Sequence, residues 1–123
     1  MPTVDILAIA AHRDDVELTC GGTLIKAGSL GRATAVIDLT AGELGTRGSA
    51  QLRGEEADKA AKVMGLSARE NLGLPDGGVV NSPETRARLA VAIRKFKPQV
   101  VIAPSLHGKH PDHTIAAQLI RDA

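Results

Sequence analysis

Three short runs of almost unbroken apolar residues recur along this chain, at Val4–Ala10 (VDILAIA), Ala33–Leu39 (ATAVIDL) and Gln99–Ala103 (QVVIA). Each has the length of a strand, and a strand that is apolar at consecutive positions has to be covered on both faces. The segments between them carry helical signals. Val16–Ser29 spaces Leu18, Leu24 and Ile25 as a helix does and meets a stop at Gly31, and Gln51–Met64 closes at Gly65. Ser82-Pro83-Glu84-Thr85 starts a third helix, with Ser82 as N-cap and Pro83 at the first position, that runs to about Lys97 and is blocked by Pro98. A shorter strand is expected at Glu70–Leu74, ended by Pro75 and the turn residues Asp76-Gly77-Gly78. Thr40–Gly48 reads as a Gly-rich loop, and a last helix begins near Asp112 or His113. Strands that alternate with helices predict an α/β fold: one Rossmann-like domain over residues 1–123, a three-layer sandwich around a mostly parallel sheet.

Composition removes several function classes. A net charge of +1 gives no field for nucleic acid or an acidic membrane surface, and a single aromatic residue, Phe96, leaves nothing for bases or sugars to stack on. One cysteine, Cys20, allows no internal disulfide and fits a reducing compartment. The run from Val4 to Ala11 lacks the basic residues that precede a signal peptide, and no segment is long enough to span a bilayer, so a cytoplasmic protein is expected. The last helix runs out at Arg121-Asp122-Ala123 without a Gly or Pro stop, as the N-terminal portion of a longer domain would; the sheet is then expected to be incomplete at its C-terminal side. An edge left open in this way favours association into a homo-oligomer.

Ligands of open parallel sheets bind outside the carboxyl ends of the strands. Two polar clusters fall at such ends. His12-Arg13-Asp14-Asp15, with Glu17, follows the first strand, and His107-Gly108-Lys109-His110-Pro111-Asp112-His113 follows the strand at Gln99–Ala103. Imidazoles and carboxylates that converge there suit a divalent ion with a position left open for water. Such an ion brings the pKa of bound water from about 15.7 to about 7. A further carboxylate can take that water's proton, and a further imidazole can stabilise an oxyanion. The bland alternative is a polar strand-to-helix turn capped by an aspartate in each place. Glu17 reads equally well as support for His12 or as an exposed first-turn acid. Gly21-Gly22 reads as close helix-on-sheet packing, Cys20 as a core residue, His107 as surface and Asp76-Gly77-Gly78 as a turn.

Ala11-His12-Arg13-Asp14-Asp15-Val16-Glu17 resembles the Ala-His-Pro-Asp-Asp-x-Glu signature of the LmbE-like (PIG-L) N-deacetylase family, and His110-Pro111-Asp112-His113 resembles its His-x-Asp-His signature. Residues 39–48 and Arg53-x-x-Glu56 are similar to its substrate loop and the helix that follows. The resemblance implies that His12, Asp15 and His113 bind zinc, a donor set that also suits iron(II). It implies Asp14 as general base, His110 as oxyanion donor oriented by Asp112, and Arg53 as a contact to a small N-acetylated substrate of the N-acetylglucosamine type; the Gly-rich setting of Arg47 favours a mobile substrate loop, and the bland alternative for both arginines is an ordinary surface charge. Two departures bear on that expectation. Arg13 stands where the family has a φ-fixing proline, and a cation beside the site is expected to weaken metal binding or lower the pKa of Asp14. Family members are also longer, their C-terminal part completing the sheet. Rival expectations are a non-catalytic metal-binding member of the fold and a nucleotide-binding module.

Overall fold

The computed structural model describes residues 3–41 and 50–123. Its elements alternate throughout: β1 (Ile6–Ala10), α1 (Asp15–Ser29), β2 (Thr34–Thr40), α2 (Ala50–Met64), β3 (Ala68–Leu74), α3 (Pro83–Phe96), β4 (Val100–Ile102) and α4 (Pro111–Asp122). The strands form one parallel sheet in the order β3-β2-β1-β4. This is the α/β sandwich that the alternating pattern predicts, with the elements in the expected order.

Successive residues of β1 face opposite layers, as the two-residue period of a strand requires. Leu7 and Ile9 pack with Leu89, Ala92 and Phe96 of α3 and with Ala116, Leu119 and Ile120 of α4. Ala8 and Ala10 pack with Val16 and Leu24 of α1 and Met64 of α2. Apart from Phe96 and Met64, these side chains are small or aliphatic. Gly21 of α1 faces the Met64 sulfur of α2, where an added Cβ would stand at an ordinary contact distance of 3.7 Å, and nothing lies within 4 Å of a Cβ at Gly22, so this pair does not mark the close helix-on-sheet packing expected. Local signals end the elements where the sequence places them. Ser82 and Thr85 form a reciprocal capping box at the start of α3, and Lys97, in the left-handed region at φ 44°, ends it.

The strand after α3 departs from expectation. Its apolar run predicts a buried strand, but among the described residues β4 pairs only with β1, and Val100 and Val101 stay 52% and 42% exposed. Hydrophobicity records that a strand wants cover, and not how much cover the chain provides. On the α3–α4 side of β4 lies an apolar groove of about 600 Å³, bordered by Ile93, Val101, Leu106 and Ile120. Among the described residues no helix is long and apolar enough to cross a membrane.

The strand order fixes where a site can form. The chain builds outward from β1 through β2 to β3, then returns across the sheet to place β4 on the other side of β1. The connections leaving β1 and β4 therefore diverge at their carboxyl ends, and the crevice at such a switch point is where this kind of sheet holds ligands.

Candidate metal centre

Both polar clusters lie on that crevice. His12 is the second residue beyond β1. Pro111 at the first position of α4, with its φ set in advance, makes His110 the N-cap and puts Asp112 and His113 in the first turn. The imidazoles of His12, His110 and His113 consequently stand with ring centroids 4.9, 5.0 and 5.4 Å apart. Asp15 opens α1, and its Oδ2 accepts from the His12 amide at 3.1 Å. The same oxygen lies 3.4 Å from Nδ1 of His12 and 3.0 Å from Nε2 of His113.

Among the described residues two triads could hold a metal ion by distance alone, His12–Asp15–His113 and His12–His110–Asp112, each with donor atoms within 4.8 Å of one another. Hydrogen bonding separates them. Nε2 of His12 lies 2.9 Å from Asp112 Oδ2 and 3.0 Å from Asp76 Oδ1, so it carries a proton, and the lone pair of a neutral ring then falls on Nδ1, which faces Asp15. Nδ1 of His110 accepts from the Asp112 amide at 3.0 Å, which leaves the ring proton on Nε2 and makes His110 a donor. The His12–His110–Asp112 triad is therefore the poorer fit, since its nitrogens at that point carry protons, whereas Nδ1 of His12 and Nε2 of His113 face one oxygen of Asp15. Two donors on one tetrahedral zinc, each about 2.0–2.2 Å from it, stand about 3.3 Å apart, close to the 3.0 and 3.4 Å separations here. A ligating imidazole normally gives its other N–H to a carboxylate, as His12 does. The residues fit a divalent ion.

The charges agree with that fit. In the metal-free chain the His12 imidazole is pushed up to about 9, first by its hydrogen bond to Asp15, against the opposing effect of burial, and then by Asp112. Burial pushes the Asp15 carboxyl up, but His12 and the charge of His113 hold it below the usual range. Asp112 is lowered in the same way, against burial, by His12 and by the amides of Gly77 and Val79. A stability prediction follows. His12 is raised above its ordinary 6.5, so its contribution is complete below about pH 6.5 and is lost as pH rises through about 9. Unfolding midpoints in chelator should fall across that window, and an ion that displaces the Nδ1 proton should flatten the curve. A metal-free midpoint that stays level from pH 6.5 to 9 would show that no carboxylate holds the ring.

Several residues lie elsewhere than expected. The Asp112 carboxylate turns to His12 and accepts from Gly77 N at 2.8 Å; His110 is oriented by the Asp112 amide instead. Glu17 pairs with Arg69 at 2.9 Å and makes no bond to His12. Arg13 extends toward α2. Its guanidinium lies over Gly54 of α2, where a Cβ would meet Nη1 at 3.4 Å. Burial pushes the Asp38 carboxyl up, and the Arg13 charge joins Arg69 in opposing that rise. Arg53 is half-buried on α2 beside Gly54, and Arg47 lies outside the described residues. Asp14 caps α1 at φ 81°, in the left-handed region, and is exposed, with no side-chain bond to the helix. Asp76 is the residue that sequence reasoning missed. It occupies the turn after β3 that Gly77 makes at φ 74°, and its carboxylate reaches His12. An acid just past the carboxyl end of a strand, level with the two clusters, was the available signal.

Residues 7–123 match the family described as PIG-L, GlcNAc-PI de-N-acetylase. The crystal structure of the conserved protein TT1542 from Thermus thermophilus superposes with a TM-score of 0.93 at 46% identity, over 98% of this chain and 55% of that one. The diacetylchitobiose deacetylase of Thermococcus kodakarensis is 30% identical over 93% of this chain and 46% of its own length. The 4-oxalmesaconate hydratase of Pseudomonas putida is 28% identical over 99% of this chain and 52% of its own. The chain thus spans about half the length of the curated relatives it matches. The family match runs from the second residue of β1 through the last helix, and the chain belongs to the PIG-L family of GlcNAc-PI de-N-acetylases.

Proposed function

We propose that this chain holds a divalent ion, zinc by preference, between His12, Asp15 and His113, and that it serves to hydrolyse the N-acetyl amide of an amino sugar of the N-acetylglucosamine type. The observation that carries this reading is the division among the three imidazoles. Nδ1 of His12 and Nε2 of His113 both face one oxygen of Asp15, at 3.4 and 3.0 Å, and the third imidazole is left with an N–H to give. Family membership and the deacetylase relative support the reaction class, which the hydratase relative shows is not guaranteed by fold.

The ion, when bound, lowers the pKa of water and polarises a carbonyl. Asp14, exposed at the N-cap and not engaged with the helix, takes the proton of the attacking water and returns it to the leaving amine. His110 donates its Nε2 proton in a hydrogen bond to the carbonyl oxygen as that oxygen becomes negative. Asp76 and Asp112 hold the His12 ring in one tautomer. Acetate and a free amine result. A cleft of about 520 Å³ beside Asp15 and His113, with Thr19, Ser105 and Gly108 on its walls, has room for a sugar and approaches β4 from the α1 side. Arg53 and Arg47 are the proposed substrate contacts, and the single Cys20 suits a reducing compartment.

The test is acetate release from an N-acetylglucosamine conjugate. It should be abolished by a chelator and restored by zinc, with metal analysis of protein purified without added ions deciding between zinc and iron(II). A folded, zinc-loaded sample that releases no acetate would favour a non-catalytic metal-binding member. Heat protection by a nucleotide and none by zinc would favour the nucleotide-binding reading.

A further inference from the structure

Beneath the loop that carries His12, the α1–α2 side of the sheet buries a charge cluster that the proposed chemistry leaves unused. Arg69, the second residue of β3, has a side chain only 6% exposed. Its Nε donates to Asp38 Oδ2 at 2.7 Å and its Nη2 to Asp38 Oδ1 at 3.0 Å, and Nη2 also reaches Glu17 Oε1 at 2.9 Å. Asp38 lies on β2, directly opposite Ala10, the last residue of β1. Nη1 of Arg69 is buried with no hydrogen-bond partner among the described residues.

Stability gives a poor account of this cluster. Apolar side chains of similar volume often replace a buried ion triad at no loss, and an orphaned N–H adds a cost of its own. What the triad supplies is direction. The two-pronged bond to Asp38 fixes the plane of the guanidinium against the sheet, and the fixed plane aims its remaining edge at Glu17. Glu17 stands in the first turn of α1, two residues beyond Asp15 and three beyond Asp14. Arg13 adds to the arrangement from the loop itself, favouring the charged form of Asp38 against its burial while it lies over Gly54.

We infer that Glu17, Arg69 and Asp38 are positioning residues for the metal centre. They set the height of the first turn of α1 against β2 and β3, and so hold Asp15 where it meets His12 and His113 together. The inference rests on the reading of His12, Asp15 and His113 as ligands. Zinc affinity of the full chain, measured by competition with a chelator, tests it without any need for turnover. Glu17→Ala releases α1 and leaves the Arg69–Asp38 pair intact. Arg69→Met with Asp38→Leu and Glu17→Met replaces the whole triad by apolar volume. Both should bind zinc about 10- to 100-fold more weakly than the parent. The triple variant should keep its denaturation midpoint, and kcat should fall further than KM rises. Parental zinc affinity in folded Glu17→Ala overturns the inference, even where the triple variant fails to fold, and parental affinity in a folded triple variant does the same. A parent chain that binds no zinc overturns the ligand reading and takes this inference with it, so the two failures are distinguishable.

Discussion

Exchanging Asp14 for glycine should cut turnover by about 10²–10⁴-fold, the usual contribution of a positioned general base, and should make the protein more stable at the same time. The second effect follows from the backbone. Asp14 sits at φ 81°, a conformation that costs a residue with a Cβ about 1–3 kcal/mol. Glycine enters it freely but loses about 0.5–1 kcal/mol more chain entropy on folding, so a net gain of about 1 kcal/mol is expected. Nothing in the helix is lost, because the Asp14 side chain makes no capping bond. Acetate release and urea midpoints measured on the same samples check both halves. Asp14→Asn is the control: it tolerates the left-handed region about as well as aspartate, so activity should fall with little change in midpoint. A glycine variant that is less stable, or that keeps its turnover, contradicts the role assigned to this residue.

Alanine at His113 and alanine at His110 should part company in zinc affinity. Removing His113 takes away one of the three proposed donors and should weaken binding by more than about 100-fold, beyond the roughly 10- to 100-fold typical of residues that only support a ligand. Removing His110 should leave the affinity near that of the parent, because its free nitrogen carries a proton and offers no lone pair. Its loss should appear in turnover, by about 10²–10³-fold, as for an oxyanion donor. Chelator competition and acetate release on the two variants give the comparison. If His110→Ala loses zinc and His113→Ala keeps it, the ion belongs to the other triad and the tautomers drawn from the hydrogen bonds are wrong.

Both chain segments of the site were legible because their chemistry is concentrated. His12 to Asp15 and His110 to His113 carry most of the imidazoles and are placed at strand ends by apolar runs that leave little freedom of interpretation. The alternation of those runs with helical segments likewise settled the fold class. Pairing was harder to read, since it depends on what else the chain brings. Gln99–Ala103 has the composition of a covered strand, but β4 has β1 on one side and nothing described on the other. The target of the Asp112 carboxylate was hidden for a similar reason. Sequence neighbours suggest His110, while the sheet brings His12 and the amide of Gly77 closer. Arg69 gives no local sign of its role. It lies in a polar-looking strand, ARENLGL, and only the parallel register with β2 puts it within reach of Asp38.

The contact between His12 and Asp112 joins residues 100 positions apart, and the one between Gly77 and Asp112 bridges another 35. Closing such wide spans is slow, and little rewards the chain until most of the sheet has formed. A refolding polypeptide should therefore acquire its ion late, after rather than during collapse. Zinc added at the start of renaturation would slow the spontaneous reverse reaction and leave the forward rate almost untouched, which would make the ion a lock on the finished molecule and not a template for making it.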